Sequence, residues 1–295
     1  MTKNKISVMA MFLLVSCFWI ASPTTSAFEK PSSNTSRDVE IIRDLPYIDT
    51  PEADPIKHKL DLYLPPGRKD FPVLVFVHGG GWTHGDKKFW FDIYGKFGLA
   101  FAKKGIGVAV INYRLIPKTT HEQQVRDVAK AISWVSRNIG KYGGNSGQLF
   151  LAGHSAGGHL VSLIGCNSEW LREAGLETNL IKGIISISGV FDVRPDLLLF
   201  NVVFGKSTQD REKASPISHV KPGLPPFLIL HGDYELPQCD GTCARQFFHK
   251  LEECHVNCKL HSISQRDHMS IIARISENND PAQQTVLEFI QSHKP

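Results

Sequence analysis

The chain has 295 residues, 33 of them Lys or Arg against 29 Asp or Glu, a formal net charge of +4, with 42% hydrophobic and 21% charged residues. These are globular proportions, and 24 Gly with 17 Pro fall well short of the roughly 25–30% that marks low-complexity chains, so disorder and collagen-like order are excluded. The two signs of charge interleave without a basic stripe, which excludes an electrostatic nucleic-acid surface.

The first 27 residues read as a secretory signal peptide: Lys3 and Lys5, an apolar run from Ile6 to Ile20, then Thr25, Ser26 and Ala27. The run is shorter than the roughly 20 apolar residues of a membrane-anchoring helix. Leu14-Val15-Ser16-Cys17 resembles a bacterial lipobox, which leaves open a tether through a lipidated Cys17 in place of release. Removing the leader lowers the charge from +4 to +2. The expected product is secreted or periplasmic, with no membrane span in residues 28–295 and no signal for oligomeric state. Residues 28–37 form a polar, Ser-rich tail with a glycosylation sequon at Asn34-Thr35-Ser36.

Regular patterning follows. Lys57 to Leu64 alternates with the period of a strand and stops at Pro65-Pro66-Gly67. Val73-Leu74-Val75-Phe76-Val77 is apolar on both faces, as in the interior of a parallel sheet covered on both sides. Beyond it the pattern predicts a helix from Lys87 to Lys104, a strand from Val108 to Asn112, a helix from Glu122 to Ile139, a strand from Leu149 to Ala152 and a helix from Ala156. A strand from Ile181 to Ser188 precedes an irregular stretch ending at Pro226. Then come a strand from Phe227 to Leu230, a helix from Ala244 to Glu253, a strand from Lys259 to Ile263 and a last helix from Pro281 to Gln291. This alternation predicts an α/β class with an open, mostly parallel sheet in one domain, residues 28–295.

Gly153-His154-Ser155-Ala156-Gly157 matches G-x-S-x-G between a predicted strand and a predicted helix, where a sharp turn would hold the serine above the sheet edge. His78-Gly79-Gly80-Gly81-Trp82 follows the all-apolar strand. Its glycines let successive backbone N–H groups turn toward one spot, as an oxyanion requires. A phosphate loop is the other use of such glycines, but neither Gly-Lys-Ser/Thr nor G-x-G-x-x-G accompanies it.

In this order the two motifs resemble the α/β-hydrolase superfamily in its H-G-G-G esterase branch, together with Asn112-Tyr113-Arg114-Leu115, Gly158-His159-Leu160 and His231-Gly232. The pattern is similar to carboxylesterases, acetyl and feruloyl esterases, isoprenylcysteine methylesterases and kynurenine formamidases. The resemblance implies an α/β-hydrolase fold with a small cap. It also implies hydrolysis of a small-molecule ester without cofactor or metal, and oxyanion donors at Gly80, Gly81 and Ala156. An arylformamidase is the second enzymatic reading, and a catalytically inactive binding protein is the reading from another class.

Ser155 needs a base, and the base a carboxylate, in the chain order Ser, acid, His. His268 follows the last predicted strand and precedes a helix; His261 lies inside the strand and His293 in the tail. His78 and His154 read as supports for loop and core. His231-Gly232-Asp233-Tyr234-Glu235 offers two acids. The family pattern H-G-x-x-D falls on Glu235, where Asp is commoner, and Asp233 stays open as the alternative. Asp267 reads as a turn residue and Asp86 as a helix N-cap. Trp82, Val190 and Phe191 are expected beside the acyl group of a shallow site. Only 38 residues, Gly189 to Pro226, are available for a cap, with Leu197 to Phe204 as an apolar flap or a buried helix.

The two C-x3-C pairs lack zinc-finger spacing. Cys243 and Cys254 flank a predicted helix and are eleven residues apart, about 16 Å against the roughly 7 Å limit between bridged Cα atoms. Export then predicts Cys239–Cys243 and Cys254–Cys258 bridges, with Cys166 free.

Overall fold

The computed structural model describes residues 38–293; the leader, Cys17, the predicted cleavage site and the Asn34 sequon lie outside them. In chain order the elements are β1 Glu40–Pro46, β2 Lys59–Leu64, β3 Phe71–Val77, α1 Phe89–Lys103, β4 Gly107–Ile111, α2 His121–Asn138 and β5 Gly144–His154. They continue with α3 Ala156–Cys166, α4 Glu169–Glu173, β6 Ile181–Ile187, α5 Leu198–Phe204 and α6 Thr208–Ala214. The last are β7 Phe227–Tyr234, α7 Gly241–Glu253, β8 Cys258–Asp267, α8 Ser270–Ala273 and α9 Pro281–Ser292.

Eight strands form one sheet in the order β1-β2-β4-β3-β5-β6-β7-β8. β2 pairs antiparallel with β1 and β4, and every pair from β4 to β8 is parallel. From β3 the chain steps outward to β4, then returns to place β5 on the other side of β3. The order therefore reverses between β3 and β5, the switch point at whose carboxyl ends open α/β sheets bind their ligands. The glycine-rich loop leaves one of them and Ser155 the other.

The period-two pattern of the strands divides the core between two faces. Val73, Val75 and Val77 of β3 belong to the layer that holds Val125, Val128 and Ile132 of α2, Leu160 and Leu163 of α3, and Phe247 and Leu251 of α7. Leu74 and Phe76 belong to the opposite layer, with Phe97 and Phe101 of α1 and Val286, Phe289 and Ile290 of α9. All seven residues of β3 are buried, and each fully buried aliphatic or aromatic side chain contributes about 1.5–3 kcal/mol. A charge placed at Val75 would strike the centre of this packing.

Three regions differ from the expected pattern. β1 arises in a stretch whose exposed and half-buried residues do not alternate, because a bulge between Ile42 and Leu45 shifts its register on β2. The first turn of α1 is broken: Trp90, Phe91 and Asp92 have φ of 41°, 54° and 58°, and the regular helix begins after them. The irregular stretch before Pro226 holds α5 and α6, seven residues each, too short for their periodicity to be read. α5 settles the flap-or-helix alternative as both: Phe200, Val203 and Phe204 are buried, while Leu198, Leu199 and Val202 face outward.

Candidate active site

Ser155 occupies the one-residue turn between β5 and α3 with φ 55° and ψ −120°. A non-glycine residue reaches positive φ only at a cost, and it persists when its surroundings over-determine it. Two features do so here. Ser155 N–H donates to Ile187 O of β6 at 2.9 Å. The turn is also packed so closely that a Cβ on Gly153 would sit 2.3 Å from Gly157 O, and one on Gly157 would sit 2.1 Å from Val77 O. The two glycines of the motif are thus required by backbone approach.

His268 and Glu235 converge on this serine from loops 113 and 80 residues away in sequence. Ser155 Oγ–H points to His268 Nε2 at 2.9 Å, and His268 Nδ1–H donates to Glu235 Oε2 at 2.7 Å. Glu235 Oε1 accepts two further bonds, from Ser188 Oγ at 2.5 Å and Gly232 N–H at 2.8 Å. Burial pushes the Glu235 carboxyl up, but the hydrogen bonds from His268, Ser188 and Gly232 outweigh it and leave the group below the usual carboxylate range. An ionised Glu235 fixes the proton of His268 on Nδ1 and leaves Nε2 as the acceptor facing the hydroxyl.

Asp233, the alternative acid, is exposed and faces away, accepting from Ser262 Oγ and Gln265 N. Residues two apart share a face of a regular strand, but the register shift between Gly232 and Tyr234 interrupts β7 at Asp233, and Glu235 lies beyond its last residue, so the two carboxylates part. Asp267 accepts from the backbone N–H groups of Met269 and Ser270, which closes the turn that carries His268. Ser188 is a site residue that the motifs do not mark; its one sequence signal is its position at the end of a strand beside the β5 turn.

The Gly79–Gly81 loop lies directly over the serine. A Cβ on Gly79 would come within 3.1 Å of Ser155 Cβ, and Gly80, at φ 120°, allows His84 N–H to close on its carbonyl at 2.9 Å. Gly80 and Gly81 follow Gly79 in this loop, and Ala156 opens α3 directly after Ser155. Leu199 of the cap lies 3.5 Å from where a Gly81 Cβ would stand.

Trp82 and Phe191, expected to touch substrate, are 1% and 2% exposed. Trp82 Nε1–H donates to His159 Nδ1, and the ring packs on Phe204 at 5.0 Å. Phe191 stacks on Phe247 at 4.3 Å. Both are core residues, and Val190, at 4%, joins them; the large side chain that offers surface beside the loop is Leu199. Asp86 does not cap α1, whose N-cap is Lys88, but binds Asn112 Nδ2 and Lys88 N–H. The two expected disulfides are not formed: Cys166, Cys239, Cys243, Cys254 and Cys258 are all free thiols. Cys243 Sγ turns to Gln238, Cys254 Sγ to Val220 O and Cys258 Sγ to Phe248 O instead of to one another.

Among the described residues no cluster of His, Cys, Asp and Glu has the makings of a metal site, and no helix is long and apolar enough to cross a membrane. What the arrangement can do is transfer a proton from a hydroxyl to an imidazole whose tautomer is fixed, beside backbone N–H groups able to receive a negative oxygen.

Comparison with known proteins places this geometry in context. The BD-FAE family profile matches residues 60–241. The chain is 30% identical over 224 residues to a probable isoprenylcysteine alpha-carbonyl methylesterase of Oryza sativa, covering 67% of this chain and 51% of that protein. It is 34% identical over 183 residues to esterase LipC of Mycobacterium tuberculosis, covering 56% and 44%. It is 27% identical over 273 residues to kynurenine formamidase of Danio rerio, covering 88% and 86%. The chain spans about half the length of the first of these curated relatives. Among solved structures, esterase B from Lactobacillus rhamnosus superposes with a TM-score of 0.72 at 21% identity, over 87% of this chain and 85% of that one, a likeness of fold.

Proposed function

The chain belongs to the BD-FAE family and has the α/β-hydrolase fold, and from that premise we propose that it is a serine carboxylic-ester hydrolase acting on small, soluble acyl esters. Ser155 is the nucleophile. Its oxygen attacks the ester carbonyl while its proton passes to His268 Nε2, and the carbonyl oxygen gains negative charge against the N–H groups of Gly80, Gly81 and Ala156. Collapse breaks the bond to the alcohol, which leaves with the proton from His268. Water then attacks the acyl-enzyme with His268 as base, releasing the acid and restoring Ser155. Glu235 holds the imidazole in its working tautomer and stabilises the imidazolium. No cofactor enters the scheme.

One observation carries this reading: a strained serine, an imidazole and a carboxylate in series at 2.9 and 2.7 Å, at the reversal point of the sheet. Small substrates are favoured because α5 and α6 supply a cap of two short helices, with Leu199 as its apolar face toward the glycine loop. The test is labelling with a fluorophosphonate probe followed by turnover of acetyl, butyryl, octanoyl, dodecanoyl and feruloyl esters. The expected result is labelling that Ser155→Ala abolishes and a kcat/KM that falls from short to long chains. An unlabelled native protein would establish the binding-protein reading, and a maximum at dodecanoyl would overturn the small-substrate part.

A formamidase reading draws on the near full-length match to the Danio rerio protein. Adding a formyl-aryl amide to the panel decides between them. Export stands on the leader alone; N-terminal sequencing is expected to find Phe28 first, and a lipidated Cys17 would replace release with a tether.

A further inference from the structure

We propose that Tyr94 and His154 are positioning residues that lock the oxyanion loop to the main chain of the base through one directional hydrogen-bond chain. The proposal rests on the serine-hydrolase reading of the site. His154 is the variable residue of the G-x-S-x-G motif, and Tyr94 comes from α1, an element that touches none of the reacting atoms.

The direction of each bond follows from its chemistry. His154 Nε2 lies 2.8 Å from His268 O, and a carbonyl only accepts, so Nε2 carries the proton. The His154 ring is fully buried, and burial, followed by the nearby His268, drives its pKa down to about 3, so the imidazole is neutral and Nδ1 is an acceptor. Tyr94 Oη, 3.2 Å from Nδ1, must then donate to it. That leaves the Tyr94 oxygen lone pairs for Gly79 N–H, which donates at 3.0 Å. The chain runs Gly79 N–H to Tyr94 O–H to His154 Nδ1, then His154 Nε2–H to His268 O, with no member able to reverse.

Its two ends are mechanistically separate. Gly79 precedes the two glycines assigned as oxyanion donors, and His268 O belongs to the residue whose side chain receives the proton. The middle, His154, is bonded covalently to Ser155. Three loops, after β3, β5 and β8, must agree on the position of one reacting carbon, and a misplacement of about 1 Å costs on the order of 10²-fold in rate. Tyr94 and His154 are 1% exposed each, so water does not substitute for a lost partner. Removing the Tyr94 hydroxyl leaves Gly79 N–H and His154 Nδ1 unpaired at once.

The experiment measures kcat and KM on a butyryl ester for Tyr94→Phe, His154→Leu, His154→Gln and the double variant Tyr94→Phe/His154→Leu, with thermal melts alongside. Tyr94→Phe is expected to lower kcat about tenfold with KM within about twofold, and His154→Leu to lower it about a hundredfold. His154→Gln, whose amide still donates toward His268 O, should recover about tenfold of that loss. Because the groups act in series, the double variant should be no slower than His154→Leu. A Tyr94→Phe enzyme with native kcat, or losses that multiply in the double variant, overturns the proposal. Should His154→Leu fail to fold, Tyr94→Phe and His154→Gln carry the same test. A native protein that resists fluorophosphonate overturns the reading beneath it, which separates the two failures.

Discussion

Among the described residues two carboxylate–histidine pairs are buried, and one of them faces a hydroxyl. At the sheet edge, Glu235 holds His268 at 2.7 Å and the far nitrogen of that ring meets Ser155. Near β2, His58 Nε2 lies 3.2 Å from Asp127 Oδ1, yet off the line a hydrogen bond needs. Asp127 is taken by Arg114 through the backbone N–H, Nε and Nη2, and His58 Nδ1 accepts from Asp54 N–H. The residue types are nearly the same, but in the second pair the carboxylate is committed to arginine and the ring to the backbone. What sets the first pair apart is that one ring nitrogen is left to a hydroxyl.

Exchanging the acids breaks this comparison most sharply. Glu235→Gln is expected to lower kcat by about 10³–10⁴-fold, since the imidazole loses its tautomer. Asp127→Asn should leave kcat within a few fold and lower the unfolding free energy by about 3 kcal/mol, because the partners of a broken buried pair stay behind. Steady-state kinetics and urea unfolding on both variants read this, and a large kinetic loss at Asp127 would erase the distinction.

The pH dependence of stability sharpens it next. Burial pushes His78 and His159 down to about 4 and His154 to about 3, and holds His121 well below its ordinary value. Below about pH 6.5 the unfolded chain binds protons that these folded rings refuse, so stability falls as pH drops toward about 4, by up to about 1.4 kcal/mol per unit for each ring. Glu235 acts lower down, since its pKa is depressed: its contribution is present above the unfolded value and lost as pH falls through the folded one. Urea midpoints between pH 8 and 4 should show this slope, and His159→Gln should flatten it by one proton; an unchanged slope would mean that His159 titrates freely.

Two smaller effects complete the series. Asp233→Asn should change kcat less than about threefold, because its partners are Ser262 and Gln265 at the surface. Leu199→Ala should raise KM for butyryl esters by a few fold, about 1 kcal/mol of pocket contact, with kcat unchanged. A larger loss at Asp233 than at Glu235 would exchange their roles.

Much of this architecture was legible because local rules and tertiary structure agree. The all-apolar Val73–Val77 run, the two glycine motifs and the last strand-to-helix turn each sit where sheet geometry needs them. Trp82 and Phe191 were misread because an aromatic beside a reactive loop has the same letters whether it faces a ligand or the core. Ser188 and Tyr94 carry no motif; their roles depend on the distance between segments that the pattern does not measure. β1 escaped because its bulge destroys the period that would have marked it.

The sheet also sets a timetable. From β5 onward each strand is laid beside the one made before it, β6, β7 and β8 in turn, so a chain emerging from the ribosome can dock every new strand on an edge that already exists. The serine turn is complete once β6 has joined β5 and α3, since Ile187 accepts the Ser155 N–H, but the carboxylate arrives with the end of β7 and the imidazole only after β8. During synthesis the protein therefore carries a hydroxyl without its base until β8 and the turn that follows it have formed. On the function proposed above, hydrolysis waits for the final strand.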